Sequence, residues 1–247
     1  MTGLRQKILK FARRLNLEPQ LRRLQRALSR GSHRRGYVDD EHTRLLISLA
    51  LPAGSSCIDI GANMGTVLDD IVAAFPDGPH IAFEPLPHLA RRLEERFPGV
   101  DVRNIALSDH SGMATFTHYV DAPGHSTLGE ESAGEAGVEH LQVPLQPLDE
   151  ALPAGFVPAF IKIDVEGAEE QVFRGMLGTL RAHKPLVVFE HGDHAERFGT
   201  TSGDIHDLLV GEAGLRLFDV DGNGPFTREE FAAYVAGGEM WTWVARS

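Results

Sequence analysis

The stretch CIDIGANMGT (57–66) places Asp59, Gly61, Asn63 and Gly65 where an apolar run ends in an acid and two glycines bracket a turn into a helix. Glycine permits tight backbone geometry and lets a ligand come close to the chain. Glu84 ends the next apolar run, 19 positions after Gly65. A carboxylate there can accept hydrogen bonds from both ribose hydroxyls of a nucleoside. A dinucleotide site reads G-x-G-x-x-G, and its middle glycine lets the backbone approach a pyrophosphate; here Asn63 stands at that position. The order is D-x-G-x-x-x-G, and Asp59 is suited to an ammonium group rather than a phosphate. S-adenosylmethionine carries an ammonium and no phosphate, so the spacing favours it. An NAD(P)-dependent oxidoreductase on a similar sheet is the enzymatic alternative. Asn104, Ala106 and Ser108 in NIALSD (104–109) fall near where an adenine ring would lie in such a fold.

A second constellation follows two later apolar runs. FIKID (160–164) leads into Asp164 and Glu166, and LVVFE (186–190) into Glu190 and His191, so both pairs should face one cleft at the carboxyl edge of a sheet. Methyl transfer from a sulfonium is an in-line displacement that asks the protein to align the acceptor oxygen and remove its proton. His191 is the preferred general base, because an unperturbed imidazole titrates near neutrality. Asp164 and Glu190 could instead hold Mg2+ or a similar divalent cation that polarises the hydroxyl. Plainer roles compete: Asp164 as the cap of a helix beginning near Gly167, Glu166 at the positive end of that helix, His191 as a satisfied strand-end histidine.

These residues need a sheet to align them. Short apolar runs at 56–60, 80–84, 100–105, 160–164 and 186–190 alternate with helical periodicity at 39–50, 66–75 and 87–97. The alternation predicts a mostly parallel sheet covered on both faces. LRLFDV (215–220) and MWTWVA (240–245) read as two final strands. The stretch 121–137 loses all periodicity and reads as a long loop on the substrate side. DVDGNGPFTREE (219–230) matches the spacing of a calcium loop, with Asp219, Asp221, Asn223, Gly224 and Glu230 at the ligand and turn positions. A strand in front of it, where an EF-hand needs a helix, favours a plain connection instead.

A chain of 247 residues with 42% apolar and 24% charged residues can build a substantial core. Residues 1–36 carry 11 Lys and Arg against one acid, Glu18, while the whole chain has a net charge of −11. The acidic body disfavours nucleic acid, whereas the basic segment attracts anions. In that segment Leu4, Ile8, Phe11 and Leu15 recur at helical spacing, and Pro19 to Leu28 repeats the pattern. It is expected to be an amphipathic extension (1–36) before a catalytic domain (37–247), suited to peripheral membrane contact or to a homodimer. The lone Cys57 and the lack of a long apolar run or a secretory leader place the expected location in the cytoplasm. A non-catalytic calcium- or membrane-binding protein is the reading from another class.

The order CIDIGANMG, FEP (83–85), NIALSD, PLDE (147–150), IKIDVEGAE (161–169) and FEH (189–191) resembles the FkbM-type methyltransferases. IKIDVEGAE is the most distinctive piece and the glycine turn the least. The resemblance implies an α/β, Rossmann-like class I methyltransferase fold, with a mostly parallel seven-stranded sheet, an antiparallel last strand and helices on both faces. It also implies S-adenosylmethionine as cofactor, with Pro85 beside Glu84 at its site. The implied reaction is O-methylation of a small-molecule or saccharide acceptor: a sugar, glycoside or related metabolite. The basic N-terminal segment falls outside it.

Overall fold

A computed structural model describes residues 32–119, 127–129, 137–192, 199–238 and 240–247. The amphipathic helices expected before residue 31 and most of the 121–137 loop lie outside these residues. The chain divides into two units, Met1–Glu41 and His42–Ser247, with the boundary inside helix α1 (Ser32–Ala50). No described helix is long and apolar enough to cross a membrane.

The main sheet is built from apolar runs. β1 (Cys57–Ile60), β2 (His80–Phe83) and β8 (Phe160–Ile163) are buried at every position, so protein covers both faces of each. Helices α2 (Thr66–Ala74) and α3 (Pro87–Arg96) alternate with the early strands. Leu68 and Ile71 of α2, and Leu89, Ala90 and Leu93 of α3, supply the buried stripe of each helix. Pro87 opens α3, where its missing N–H costs nothing. β3 (Val100–Arg103) adds the outer strand. β9 (Leu186–Glu190), β10 (Arg216–Asp219) and β11 (Thr242–Arg246) complete the sheet.

The strand order is β10-β11-β9-β8-β1-β2-β3. β11 runs antiparallel to both its neighbours and the other pairs are parallel. Ile60 stands opposite both Phe83 and Ile163, and Ile163 opposite Phe189. The next residues of the first three segments, Gly61, Glu84 and Asp164, therefore leave the sheet at one edge, where Glu190, still paired with Thr242, ends β9. The core is anchored near the C-terminus by fully buried Trp243, packed edge-on against Phe231 with ring centroids 4.7 Å apart.

Two expectations need correction. The strand predicted over 100–105 ends at Arg103, because Asn104 turns its amide to the exit of β2, donating to the carbonyls of Glu84 and Pro85 at 2.8 Å each. Residues 106 and 107 instead form β4 (Ala106–Leu107) of a second sheet, ordered β4-β7-β5-β6. Its long strands are β5 (Gly112–Tyr119) and β7 (Val138–Gln146), and β6 (Thr127–Leu128) pairs beside β5. A short piece of the expected loop is thus a strand. Leu86, Leu89, Ala106, Phe116, Val143 and Leu145 form a small core that fastens this sheet over the end of β2.

In the main sheet α4 (Leu148–Ala151) precedes β8, and α5 (Glu169–Gly175) and α6 (Leu177–His183) follow it. α7 (Ser202–His206) runs into a π-helical segment, Asp207–Glu212. The calcium-like stretch connects β10 to α8 (Arg228–Gly237). Its carboxylates serve the fold: Asp219, 2% exposed, accepts from the Asn223 backbone at 2.8 Å and side chain at 2.7 Å. Glu230 completes a capping box with Thr227 at the start of α8.

Candidate active site

The glycine turn is shaped by what stands across from it. Gly61 has φ 79°, and a Cβ there would sit 1.9 Å from the backbone oxygen of Asp164, so only glycine lets the exits of β1 and β8 approach this closely. Asn63 follows in the left-handed region at φ 48°. Its backbone N–H donates to Glu84 Oε2 at 2.7 Å, and the Leu86 N–H donates to Glu84 Oε1 at 2.9 Å. The Glu84 carboxylate is thus held at both oxygens, each keeping a free lone pair. The Asn63 Oδ1 and Asp59 Oδ2 atoms are buried without a hydrogen-bond partner.

These residues open onto a cavity enclosing about 620 Å3 of atom-free space, its mouth included. Gly61, Asn63, Glu84 and Pro85 line its polar end. Leu86, Leu89, Ile105 and Ala106 form an apolar slot, and Phe116 and Leu128 close over it from the second sheet. Asp164, Val165 and Glu166 make the far wall.

The turn after β8 separates this cavity from a second one lined by Asp164, Glu166, Gly167, Glu169, Glu190, His191, Gly192 and Trp241. Glu166 and Gly167 both adopt positive φ, 53° and 109°, which reverses the chain before α5. Thr127 of β6 donates to the Glu166 carbonyl at 3.0 Å, so the second sheet pins this turn. His191 lies at the far side with its ring 1% exposed. Its Nε2 is 3.1 Å from Ser202 Oγ and its Nδ1 is 3.7 Å from Glu169 Oε2. The backbone around it is clamped by the last strand region: the His191 N–H donates to Trp241 O at 2.8 Å, and Trp243 Nε1 donates to His191 O at 3.1 Å.

Carboxylates dominate the electrostatics. Burial raises Asp59 to about 6 from 3.8, with Lys162 opposing the rise. Glu84 rises to about 7 from 4.5, again mainly by burial, against the two backbone N–H bonds that favour its charge. Asp164 rises to about 7 and Glu166 to about 8; burial leads in both, and neighbouring carboxylates add to it. Lys162 is the counter-charge. Burial alone would lower it, but Glu190, Asp164 and Asp59 together raise it above the usual lysine range.

Lys162 also decides how the Asp164 and Glu190 pair is read. Its Nζ lies 3.3 Å from Glu190 Oε1 and acts on Asp164 electrostatically, so a built-in ammonium supplies the positive charge that a divalent cation would bring. Among the described residues no three His, Cys, Asp or Glu side chains are grouped to hold a metal ion. The Glu190 carboxylate, one of the two that could hold Mg2+, is thus already engaged by a lysine.

Of the sequence-predicted cofactor residues, Gly61, Asn63, Glu84, Pro85 and Ala106 line the first cavity. Asp59, Gly65, Asn104 and Ser108 do not line it. Gly65, at φ 76°, starts α2 against Leu93 and Phe97, and Ser108 ties β4 to β7 through its backbone N–H to Gln146 O at 3.2 Å. Asp164, Glu166, Glu190 and His191 meet in the second cavity. Asp164 caps no helix, since α5 starts at Glu169 and has no side-chain cap. Lys162, Glu169, Trp241, Phe116 and Leu128 were not singled out from sequence. A lysine inside an otherwise apolar strand, FIKI, was the available signal for the first.

A family model described as "Methyltransferase FkbM domain" matches residues 59–217, which include every lining residue of both cavities except Trp241. The chain belongs to the FkbM methyltransferase family. Among curated relatives of this FkbM chain, the AMB antimetabolite synthetase AmbE of Pseudomonas aeruginosa is 38% identical over 70% of the chain, a match covering 10% of that protein. The methyltransferase sdnD of Sordaria araneosa is 28% identical over 51% of the chain and 62% of its own length. The hexuronic acid methyltransferase AglP of Haloferax volcanii is 29% identical over 61% of the chain and 59% of its own length. The chain therefore spans less than two thirds of each. A crystal structure of an FkbM methyltransferase from Methylobacillus flagellatus superposes with a TM-score of 0.52 at 15% identity, over 83% of this chain and 47% of the other, which shows the shared fold.

S-adenosylmethionine, the cofactor that FkbM membership implies, is matched by the first cavity on two counts. The unpartnered Asn63 Oδ1, on its lining, is an acceptor suited to a cationic, donor-rich ligand. The apolar slot next to Glu84 suits an aromatic base beside a ribose.

Proposed function

We propose that this FkbM chain is an S-adenosylmethionine-dependent O-methyltransferase acting on a hydroxyl of a sugar, glycoside or related metabolite. The observation that carries the reading is the single wall, Asp164 and Glu166, shared by a nucleoside-shaped cavity and an acidic cleft that contains a histidine. S-adenosylmethionine, when bound, supplies a methyl group on a sulfonium. Glu84 grips the ribose through the lone pairs left on its two oxygens, and Asn63 offers an acceptor to an ammonium group. The second sheet excludes water from the slot with Phe116 and Leu128.

His191 is the proposed base. In the tautomer whose Nε2–H donates to Ser202 Oγ, Nδ1, without a hydrogen-bond partner, is the proton acceptor. Glu169 at 3.7 Å stabilises the imidazolium once the hydroxyl proton arrives on Nδ1. Lys162 holds Glu190 in place and offsets the negative charge of the wall, so the reading needs no divalent cation.

Calorimetry with S-adenosylmethionine and with NADH tests the cofactor, and His191→Gln tests the base. The sulfonium alone should bind. The variant should retain that binding while turnover on a hydroxylated acceptor falls by about 10²- to 10⁴-fold, the usual worth of a positioned base. NADH binding, or unchanged turnover in the variant, would overturn the corresponding part. Full turnover in the presence of EDTA is expected.

A further inference from the structure

The acceptor cleft selects for charge. Four of its eight lining residues are Asp164, Glu166, Glu169 and Glu190, and no Lys or Arg lines it among the described residues. Lys162 lies behind the wall with its side chain 5% exposed, already paired with Glu190. The carboxylates of this cleft outnumber that cation, and they crowd one another. Glu166, raised to about 8, is pushed up by burial and then by Asp164, Glu190 and Glu169 in turn. A positive charge entering the cleft relieves that repulsion, while a negative one adds to it.

Two further features point to a ligand here. The His191 Nδ1 is buried, unpartnered and set in the cleft wall. Trp241 forms another wall, and Gly192 makes room for it, since a Cβ at 192 would stand 2.9 Å from the indole Cδ1. Aromatic walls attract cations through the ring quadrupole and accept the apolar faces of sugars.

We infer that the acceptor bears a protonated amine near the hydroxyl that is methylated, as in an amino sugar or amino alcohol, with the ammonium held by Glu166 and Glu190 and the hydroxyl offered to His191. This rests on the methyl-transfer reading above. It separates the chain from its relative AglP, which is named for a hexuronic acid, an anionic acceptor that this cleft would repel.

The test uses the full chain saturated with S-adenosylhomocysteine at pH 7, titrated calorimetrically with three matched glycosides. Methyl glucosaminide is cationic, its N-acetyl derivative neutral and methyl glucuronide anionic. The glucosaminide should bind about tenfold or more tighter than the N-acetyl derivative, and the glucuronide more weakly than either, the range expected for one charge-assisted contact. In the double variant Glu166→Gln, Glu190→Gln the preference should vanish. No binding of the glucosaminide, equal or tighter binding of the glucuronide, or a preference that survives in the variant would overturn the inference. Failure of S-adenosylhomocysteine to bind at all would instead defeat the methyl-transfer reading.

Discussion

Replacing Glu84 by Gln changes one oxygen to an amide nitrogen and nothing in size. In the native protein both carboxylate oxygens accept backbone hydrogens, from Asn63 at 2.7 Å and Leu86 at 2.9 Å, in a site 3% exposed. The glutamine keeps one of these bonds and turns its NH2 toward the other N–H, so a buried donor loses its partner. That costs about 1–3 kcal/mol of stability, and in a chain of this size roughly 2–4 °C of Tm for each kcal/mol. Cofactor binding loses a charge-assisted contact as well, about 1.5–3 kcal/mol or roughly 10- to 150-fold in Kd. A second signature separates the two effects. Because burial raises Glu84 to about 7, the native protein must release a proton to grip the cofactor near neutrality, so its affinity should increase from pH 6 to pH 8. The glutamine variant should lose part of that increase. Melting curves and calorimetry across this range are the assays; a Kd within twofold of native, with an unchanged pH profile, would refute the placement of Glu84 on the cofactor.

The stability of the ligand-free protein should decline between about pH 4 and pH 8. Asp59, Glu84, Asp164 and Glu166 all titrate higher folded than unfolded, so the folded state holds protons that the unfolded chain has released; a Tm that rises through this window would contradict their burial. Gly61→Ala should yield a poorly folded or strongly destabilised protein, since its Cβ meets the Asp164 carbonyl in a positive-φ position, and a native Tm would show that the two strand exits do not converge. Lys162→Met should destabilise by about 3–5 kcal/mol by leaving buried acids uncompensated, read by urea denaturation; a neutral effect would mean that Asp164 and Asp59 are already protonated without it.

The sheet was legible wherever a strand is buried on both faces, because FIKI, LVVFE and CIDI are short apolar runs that need no partner to be recognised. The second sheet was not. In β7 a period of two holds only from Leu141 to Gln146, after an exposed start, and Pro144 within that run argues against a strand. That Gly61, Asn63 and Glu84 meet at one cavity was readable because their spacing follows from backbone geometry. The roof residues Phe116 and Leu128 could not be read, since only the fold of the second sheet brings them over the slot. Lys162 was passed over because its meaning lies in Glu190, 28 positions away and adjacent only through the pairing of β8 with β9.

The position of β11 carries a consequence for how the protein is made. It lies between β9 and β10 in the sheet although it comes last of the three in the chain. On the ribosome, the outer edge of β9 stays unpaired until residues 242–246 have emerged. During that interval an apolar strand edge is open to wrong partners. The clamps on His191, from Trp241 and Trp243, arrive with the same final stretch. A molecule cut between residues 192 and 240 would carry the glycine turn and the slot beside it, yet would lack both clamps on the His191 backbone, so the seat of this histidine depends on chain that follows it by 50 positions.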